Sequence, residues 1–196
     1  MVTQIVYVST DYLALNATSD PYGRPSFSFA NRFKRWVWNL IWLLLYRPSP
    51  RLLHPWRALL LRTFGATIGP HCRFYPSSKV WAPWNLTCED LVVLADGVEV
   101  YNQAPIHLGS HAIVSQYAYL CGSTHDFNDP AFPLIAYRTE IGPYAWICAK
   151  ATLGPGVQVG AGAVLGLASV AIRDLEPWGV YAGVPAVKVK ERNQVN

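Results

Sequence analysis

Charge is scarce in this 196-residue chain: Asp, Glu, Lys and Arg together make up 14 % of it, against 52 % for the hydrophobic class. That balance excludes a disordered tail and any acidic or basic low-complexity protein. The net charge of +4 falls well short of a nucleic-acid-binding composition, although it suits an anionic ligand or an anionic membrane face. The four cysteines, Cys72, Cys88, Cys121 and Cys148, form no C-x-x-C pair. A zinc site of that kind is therefore not expected, and they read as small buried residues in a reducing compartment. Glycine and proline are scattered without Gly-X-Y triplets, which excludes collagen. The N-terminal stretch lacks a basic region followed by an apolar core, so it does not read as a secretory signal and a cytoplasmic protein is expected. A chain of this length suits one domain with a core.

Apolar runs are short. Residues 36–46 read WVWNLIWLLLY behind Arg32, Lys34 and Arg35. Eleven residues make roughly 16 Å of helix, about half of a hydrocarbon core, so the segment cannot span a bilayer. It is either a helix packing its tryptophans on the rest of the protein or an interfacial helix, with tryptophans at headgroup level and the basic cluster toward anionic lipid. Pro48 and Pro50 end it. A second helix is predicted over His54 to Phe64, with Pro55 in its first turn and Gly65 as its stop.

From residue 68 a period of six takes over. The clearest hexads are IGPYAW, ICAKAT, LGPGVQ, VGAGAV and LGLASV, covering residues 141–170 in one register. Their first position is aliphatic, their second is Gly in four of five, and their fifth is small. Degenerate hexads start at 68, 74, 80, 86, 92 and 98; after a slip of four residues others start at 108 and 114. A hexad is one short strand and a tight turn, and three of them close a triangular coil. The first and fifth residues face inward, and glycine is expected where a turn needs unusual φ and ψ. Stacked coils bury a continuous core that no single repeat can bury. Neither the helical period of 3.6 nor the strand period of 2 fits. The expected organisation is an N-terminal helical or irregular segment over 1–67 and a solenoid over 68–196 with a short C-terminal tail. Residues 122–140, GSTHDFNDPAFPLIAYRTE, interrupt the repeat as a long excursion, of the kind that usually lines a site.

The hexads resemble those of the hexapeptide-repeat acyltransferases. WRALLLRTFGATIG (56–69), VSQYAYLCGSTHD (114–126) and GPGVQVGAGAVLGLASVAIRDLEPWGVYAGVPA (154–186) are similar to the maltose and galactoside O-acetyltransferase branch, in particular to exopolysaccharide acetyltransferases of the colanic-acid-biosynthesis type. The resemblance covers about residues 54–192. It implies a mainly β fold, a left-handed parallel β-helix, an exception to the usual crossover hand. It also implies a homotrimer in which acetyl-CoA lies in a cleft between neighbouring prisms and a saccharide approaches from the other side.

Attack of a hydroxyl on a thioester needs a base, and histidine, with an ordinary pKa of ~6.5, is the default. Of five histidines only His125 begins the excursion, and the resemblance makes it the catalytic base, with direct transfer, no acyl-enzyme, and a backbone N–H holding the oxyanion. The resemblance places Asn102 and Asp126 on the acceptor side. Asn102 stands where relatives carry an acid, and it either bonds a sugar hydroxyl or caps a turn. Trp146, Ala149, Leu167, Ile172, Arg173 and Lys190 are assigned to the cofactor. Arg173 and Lys190 supply cations for phosphates, while Trp146 reads equally as packing at the trimer seam. Val187 departs from the usual Lys or Arg, and Lys188 is the substitute cation. His107 and His111 have H-x-x-x-H spacing, a zinc pattern on a helix, but a hexad register separates them and no metal is expected. The alternatives are a zinc enzyme like the γ-type carbonic anhydrases on the same fold, and a non-catalytic trimeric scaffold.

Overall fold

The computed structural model describes residues 12–14 and 26–194. Helix α1 (Phe29–Ile41) starts at Ser28, whose hydroxyl accepts from the Asn31 N–H at 3.2 Å. It runs into a π-turn over Trp42–Tyr46, and helix α2 follows at His54–Thr63 with Pro55 in its first turn. The 36–46 segment is divided between packed and exposed residues. Trp38 and Tyr46 are buried edge to face against one another, and the Trp38 and Trp42 indoles donate to the carbonyls of Val80 (2.7 Å) and Ser78 (2.9 Å). Trp36, Leu40, Leu43 and Leu44 point outward. Arg57 is wholly buried with no carboxylate ion pair among the described residues; it donates to the carbonyls of Phe74 (2.6 Å), Pro50 (2.9 Å) and Arg51 (2.6 Å) and to the Ser49 hydroxyl (2.7 Å). The helices thus close the lower end of the solenoid through donors that satisfy its terminal carbonyls.

The solenoid is a left-handed parallel β-helix with three faces. The first face stacks Thr67–Ile68, Leu86–Cys88, Ile106–Leu108 and Thr139–Ile141. The second stacks Arg73–Phe74, Val93–Leu94, Ile113–Val114, Trp146–Ile147, Val164–Leu165 and Gly179–Gly183, and ends in an antiparallel strand at Ala186–Glu191. The third stacks Lys79–Val80, Glu99–Tyr101, Tyr119–Cys121, Thr152–Leu153 and Val170–Ala171. Buried side chains form one core running from Trp38, Tyr46 and Leu61 through the aliphatic first positions to Leu175 and Tyr181. Each such aliphatic side chain contributes about 1.5–3 kcal/mol of burial.

Two expectations need correction. The pairings Ile68↔Cys88, Phe74↔Leu94 and Val80↔Val100 put the inward first positions of the second coil at 88, 94 and 100, two residues after the 86, 92 and 98 of the hexad reading. The four-residue slip is in fact two slips of two, one in each of the first two coils, at the corner after the third face. In addition, the second-position glycines are not there for unusual φ. The left-handed residues are at the fourth position and are mostly not glycine: His71, Leu91, His111 and Tyr144 have φ of 57–64°. A Cβ at Gly142 would lie 2.6 Å from the Ala161 nitrogen of the coil above, and one at Gly109 2.6 Å from that of Pro143. Close approach of backbones between coils therefore demands these glycines.

Candidate active site

The chain leaves the prism after Tyr119–Cys121, at the corner following the third face. Gly122 donates to the Tyr101 carbonyl of the coil below at 2.9 Å, and a Cβ there would lie 2.6 Å from that oxygen. The excursion is a hairpin of Ser123–His125 and Leu134–Tyr137, against which Tyr12–Ala14 adds a third antiparallel strand. Its tip is built by Asp and Pro turn chemistry. The Asp126 carboxylate accepts from the Asn128 N–H (2.9 Å), that of Asp129 accepts from the Ala131 N–H (2.8 Å), and the Phe132 N–H returns to the Asp129 carbonyl (2.8 Å).

This turn presents Phe132 to His125. The rings stack at 4.6 Å, and His125 Nδ1 lies 2.8 Å from the Phe132 carbonyl oxygen. A carbonyl only accepts, so the proton sits on Nδ1 and Nε2 carries the free lone pair. His125 is half-buried. The group fixing its tautomer is a backbone carbonyl seven residues on. The Asp129-Pro130 pair signals a turn in the sequence but not which residue that turn returns to His125.

The other predicted residues are distributed as follows. Asp126 points its carboxylate into its own turn. Asn102 is fully buried, its Oδ1 accepts from the Ala82 N–H (2.9 Å), and its Nδ2 donates to the Ala82 carbonyl (2.8 Å). Of its two expected roles, the amide fills that of a peg capping backbone. Trp146 and Lys190 line one cavity of about 460 Å³ on the second face with Val164, Val180 and Arg192. The Trp146 indole donates to the Ser115 hydroxyl at 2.8 Å. Ala149 and Leu167 are stacked in successive coils at the corner between second and third faces, where the Ala168 N–H donates to the Ala149 carbonyl (3.0 Å). Ile172 and Arg173 follow Val170–Ala171 at the opposite edge of the third face, the edge from which the excursion departs. Lys188 is held at 2.7 Å by Glu176 and by Glu191. Beside Ala149, burial pushes the Cys148 thiol above its ordinary range, which leaves it a poor nucleophile.

His107 and His111 diverge. His107 Nδ1 meets Glu140 (2.6 Å) on the first face, whereas His111 stacks on Tyr144 at a corner. Among the described residues no group of three potential ligands is gathered for a metal.

No protein-family model matches the chain. It is 36 % identical over 178 residues, 91 % of this chain and 96 % of the relative, to a protein of Escherichia coli (strain K12) named as the colanic acid biosynthesis acetyltransferase WcaF. Its fold is similar to that of a maltose O-acetyltransferase from Clostridium difficile 630, with a TM-score of 0.78, 17 % identity and coverage of 85 % of this chain and 90 % of that one. It is also similar to that of a hexapeptide-repeat acetyltransferase of Vibrio cholerae O1 biovar eltor complexed with acetyl coenzyme A, with a TM-score of 0.71, 22 % identity and coverage of 84 % and 88 %. With a hexapeptide prism, a tautomer-fixed histidine on its excursion and a relative matched along nearly its whole length, the chain belongs to the WcaF family of hexapeptide-repeat acetyltransferases.

Proposed function

We propose that this protein transfers acetyl from acetyl-CoA to a hydroxyl of a saccharide, one carried on a nucleotide or a lipid for exopolysaccharide or glycan synthesis. The observation that carries the reading is the His125 imidazole, whose Nδ1–H is committed to the Phe132 carbonyl and whose Nε2 is left as acceptor. The hydroxyl proton passes to Nε2 as its oxygen attacks the thioester carbonyl. A backbone N–H holds the charge that develops on the carbonyl oxygen. The carbon–sulfur bond then breaks, and the imidazolium returns the proton to the departing thiolate. General-base assistance of this kind is worth about 10²–10⁴ in rate. No protein thiol takes part, in keeping with the protonated state that burial favours at Cys148.

The cofactor would be held by Trp146 and Lys190 in their cavity, by Ala149 and Leu167 at their corner, and by Ile172 and Arg173. These residues occupy different sides of one prism, which favours a homotrimer whose neighbouring prisms flank the cofactor from both sides. Metal has no part in the reading. The protein works in the cytoplasm at the inner face of the membrane, touching it through residues 36–46.

The test is release of free CoA thiol from acetyl-CoA in the presence of candidate saccharides, with mass spectrometry of the host glycan with and without the gene. Saccharide-dependent release and loss of an acetyl group from the glycan are expected. Failure to bind CoA in a calorimetric titration would sink the reading in favour of a non-catalytic scaffold.

A further inference from the structure

Helix α1 carries two apolar stripes, and the fold uses one. Trp38, Trp42 and Tyr46 face the prism. A second stripe at 29, 33, 36, 40 and 43 follows the four-three spacing of a single helix face and points away from it. Trp38 is 1 % exposed, whereas Trp36, two residues earlier, is 61 % exposed, Phe29 79 % and Leu44 58 %. Phe29, Phe33 and Trp36 stack on each other with centroids 6.4 and 6.0 Å apart. The turn before helix α2 and α2 itself continue this surface: Leu52 and Leu59 are exposed, and the Trp56 indole bonds the Leu45 carbonyl at 3.0 Å, which joins the helix to the π-turn. A patch of this kind marks a partner.

Charge says which partner. Residues 21–88 hold ten Lys and Arg and not one Asp or Glu, although the chain as a whole has 16 basic and 12 acidic residues. Within this basic stretch Arg32, Lys34 and Arg47 are exposed, Lys34 with its Nζ 4.2 Å over the Trp84 ring and Arg47 against the Trp42 ring. Aromatic and aliphatic side chains in a stretch with Arg and Lys and no acid of its own, Asp96 reaching it only to pair with Arg51 at 3.1 Å, match the interface of an anionic bilayer, where rings sit at headgroup depth and cations meet lipid phosphates. No helix among the described residues is long and apolar enough to cross a membrane, so the contact is peripheral.

We propose that the prism docks end-on to an anionic phospholipid bilayer through the outward stripe of α1, the π-turn that follows it and the exposed residues of α2. This rests on the acetyltransferase reading only for its purpose, which is to hold the active site where lipid-carried saccharides are. Docking itself needs neither cofactor nor acceptor.

The experiment is co-sedimentation of the full chain, without acetyl-CoA, with vesicles of phosphatidylcholine alone or with added phosphatidylglycerol. The protein should pellet with the anionic vesicles, and less so as salt rises. The double variant Trp36→Glu, Leu40→Glu should partition at least tenfold more weakly, with an unchanged melting temperature and unchanged acetyl transfer to a water-soluble saccharide. Trp38→Phe, on the inner stripe, should keep lipid binding and lower the melting temperature. Intact protein left in the supernatant with anionic vesicles overturns the proposal. So does sedimentation velocity showing that the double variant dissociates an oligomer, since the stripe would then be a seam between copies. Lipid binding without any acetyl transfer would strike the proposed function and leave the docking face standing.

Discussion

The lower and upper coils of the prism solve the same packing problem differently. In the upper coils Ile141 and Val159 pair in register 18 residues apart, three bare hexads. In the lower coils Ile68, Cys88 and Leu108 pair at intervals of 20. The two added residues of each lower coil fall at the corner after the third face, where Pro83–Asn85 turns as a short 3₁₀ segment. At that corner the Ala82 N–H and C=O depend on the Asn102 amide, and Asn85 Nδ2 donates to the Gln103 carbonyl at 2.8 Å. Trp81 in a lower coil and Gly154 in an upper one start this corner alike, each N–H donating to a carbonyl of the next coil at 2.9 Å; the upper corner then closes with the Gln158 N–H donating to Asp174 Oδ1 at 2.8 Å and Gln158 Oε1 accepting from the Glu140 N–H at 2.9 Å. Where the repeat is regular, the side chains that complete the corner are half-buried or exposed, as at Gln158 and Asp174, whereas the Asn102 peg is fully buried. Where it lengthens, a buried polar side chain must complete the hydrogen bonding. The excursion that carries His125 leaves at this corner, between the two regimes, where the chain is already free of the hexad.

The largest effect expected is on chemistry alone. His125→Ala should fold with an unchanged melting temperature and lose about 10²–10⁴ in kcat. Substantial retained turnover would remove His125 as the base and with it the assignment of chemistry to the junction between coils. Next comes the peg. Asn102→Ala strands two buried backbone groups and should cost roughly 2–4 kcal/mol in denaturant unfolding. An equally active, equally stable Asn102→Ala protein would show that the lower corner needs no side chain. A stable variant with altered acceptor preference would return the residue to the acceptor side. Gly142→Ala, in the upper coils, brings a methyl against the Ala161 backbone. Overpacking of that kind should cost about 1–3 kcal/mol, measured in the same unfolding series, and it acts through sterics alone because glycine has no side-chain hydrogen bond to give up.

Much of this contrast was legible in the sequence, and the part that was not has a physical cause. Ile141, Ile147, Leu153, Val159 and Leu165 keep one register because nothing competes with them. In the lower coils Leu86, Val92 and Val98 are as buried as Cys88, Leu94 and Val100. A period of six therefore fits two registers two residues apart, and strand pairing alone decides between them. His125 was singled out by its place at the root of the excursion and by the family pattern, and the base role proposed for it is what the kcat measurement tests. Its partner was not legible, because a bond to a backbone carbonyl depends on loop conformation and not on which side chain stands at 132. Asn102 was ambiguous for a related reason: an amide that pegs backbone and an amide that binds a sugar have the same sequence signature. The outward stripe of α1 was half legible, since the run of apolar residues was plain but its division into an inner and an outer face depends on where the helix meets the prism.

The smallest predicted effect separates the two contacts that hold the imidazole. Phe132→Ala keeps the carbonyl that accepts from Nδ1 and removes the ring stacked at 4.6 Å. Losing an aromatic pair costs about 0.5–1.5 kcal/mol, so kcat should fall a few-fold while KM for acetyl-CoA stays put if, as proposed, His125 is the base, because the ring packs on the imidazole. Phe132 adopts φ of 48° in the turn, so Phe132→Gly removes the same ring at a position where glycine relieves backbone strain. If both variants lose the same few-fold, the ring matters as a platform for the imidazole. If Phe132→Gly falls as far as His125→Ala, the added freedom of the turn has moved the carbonyl away from Nδ1, and the backbone contact is then what makes this histidine a base.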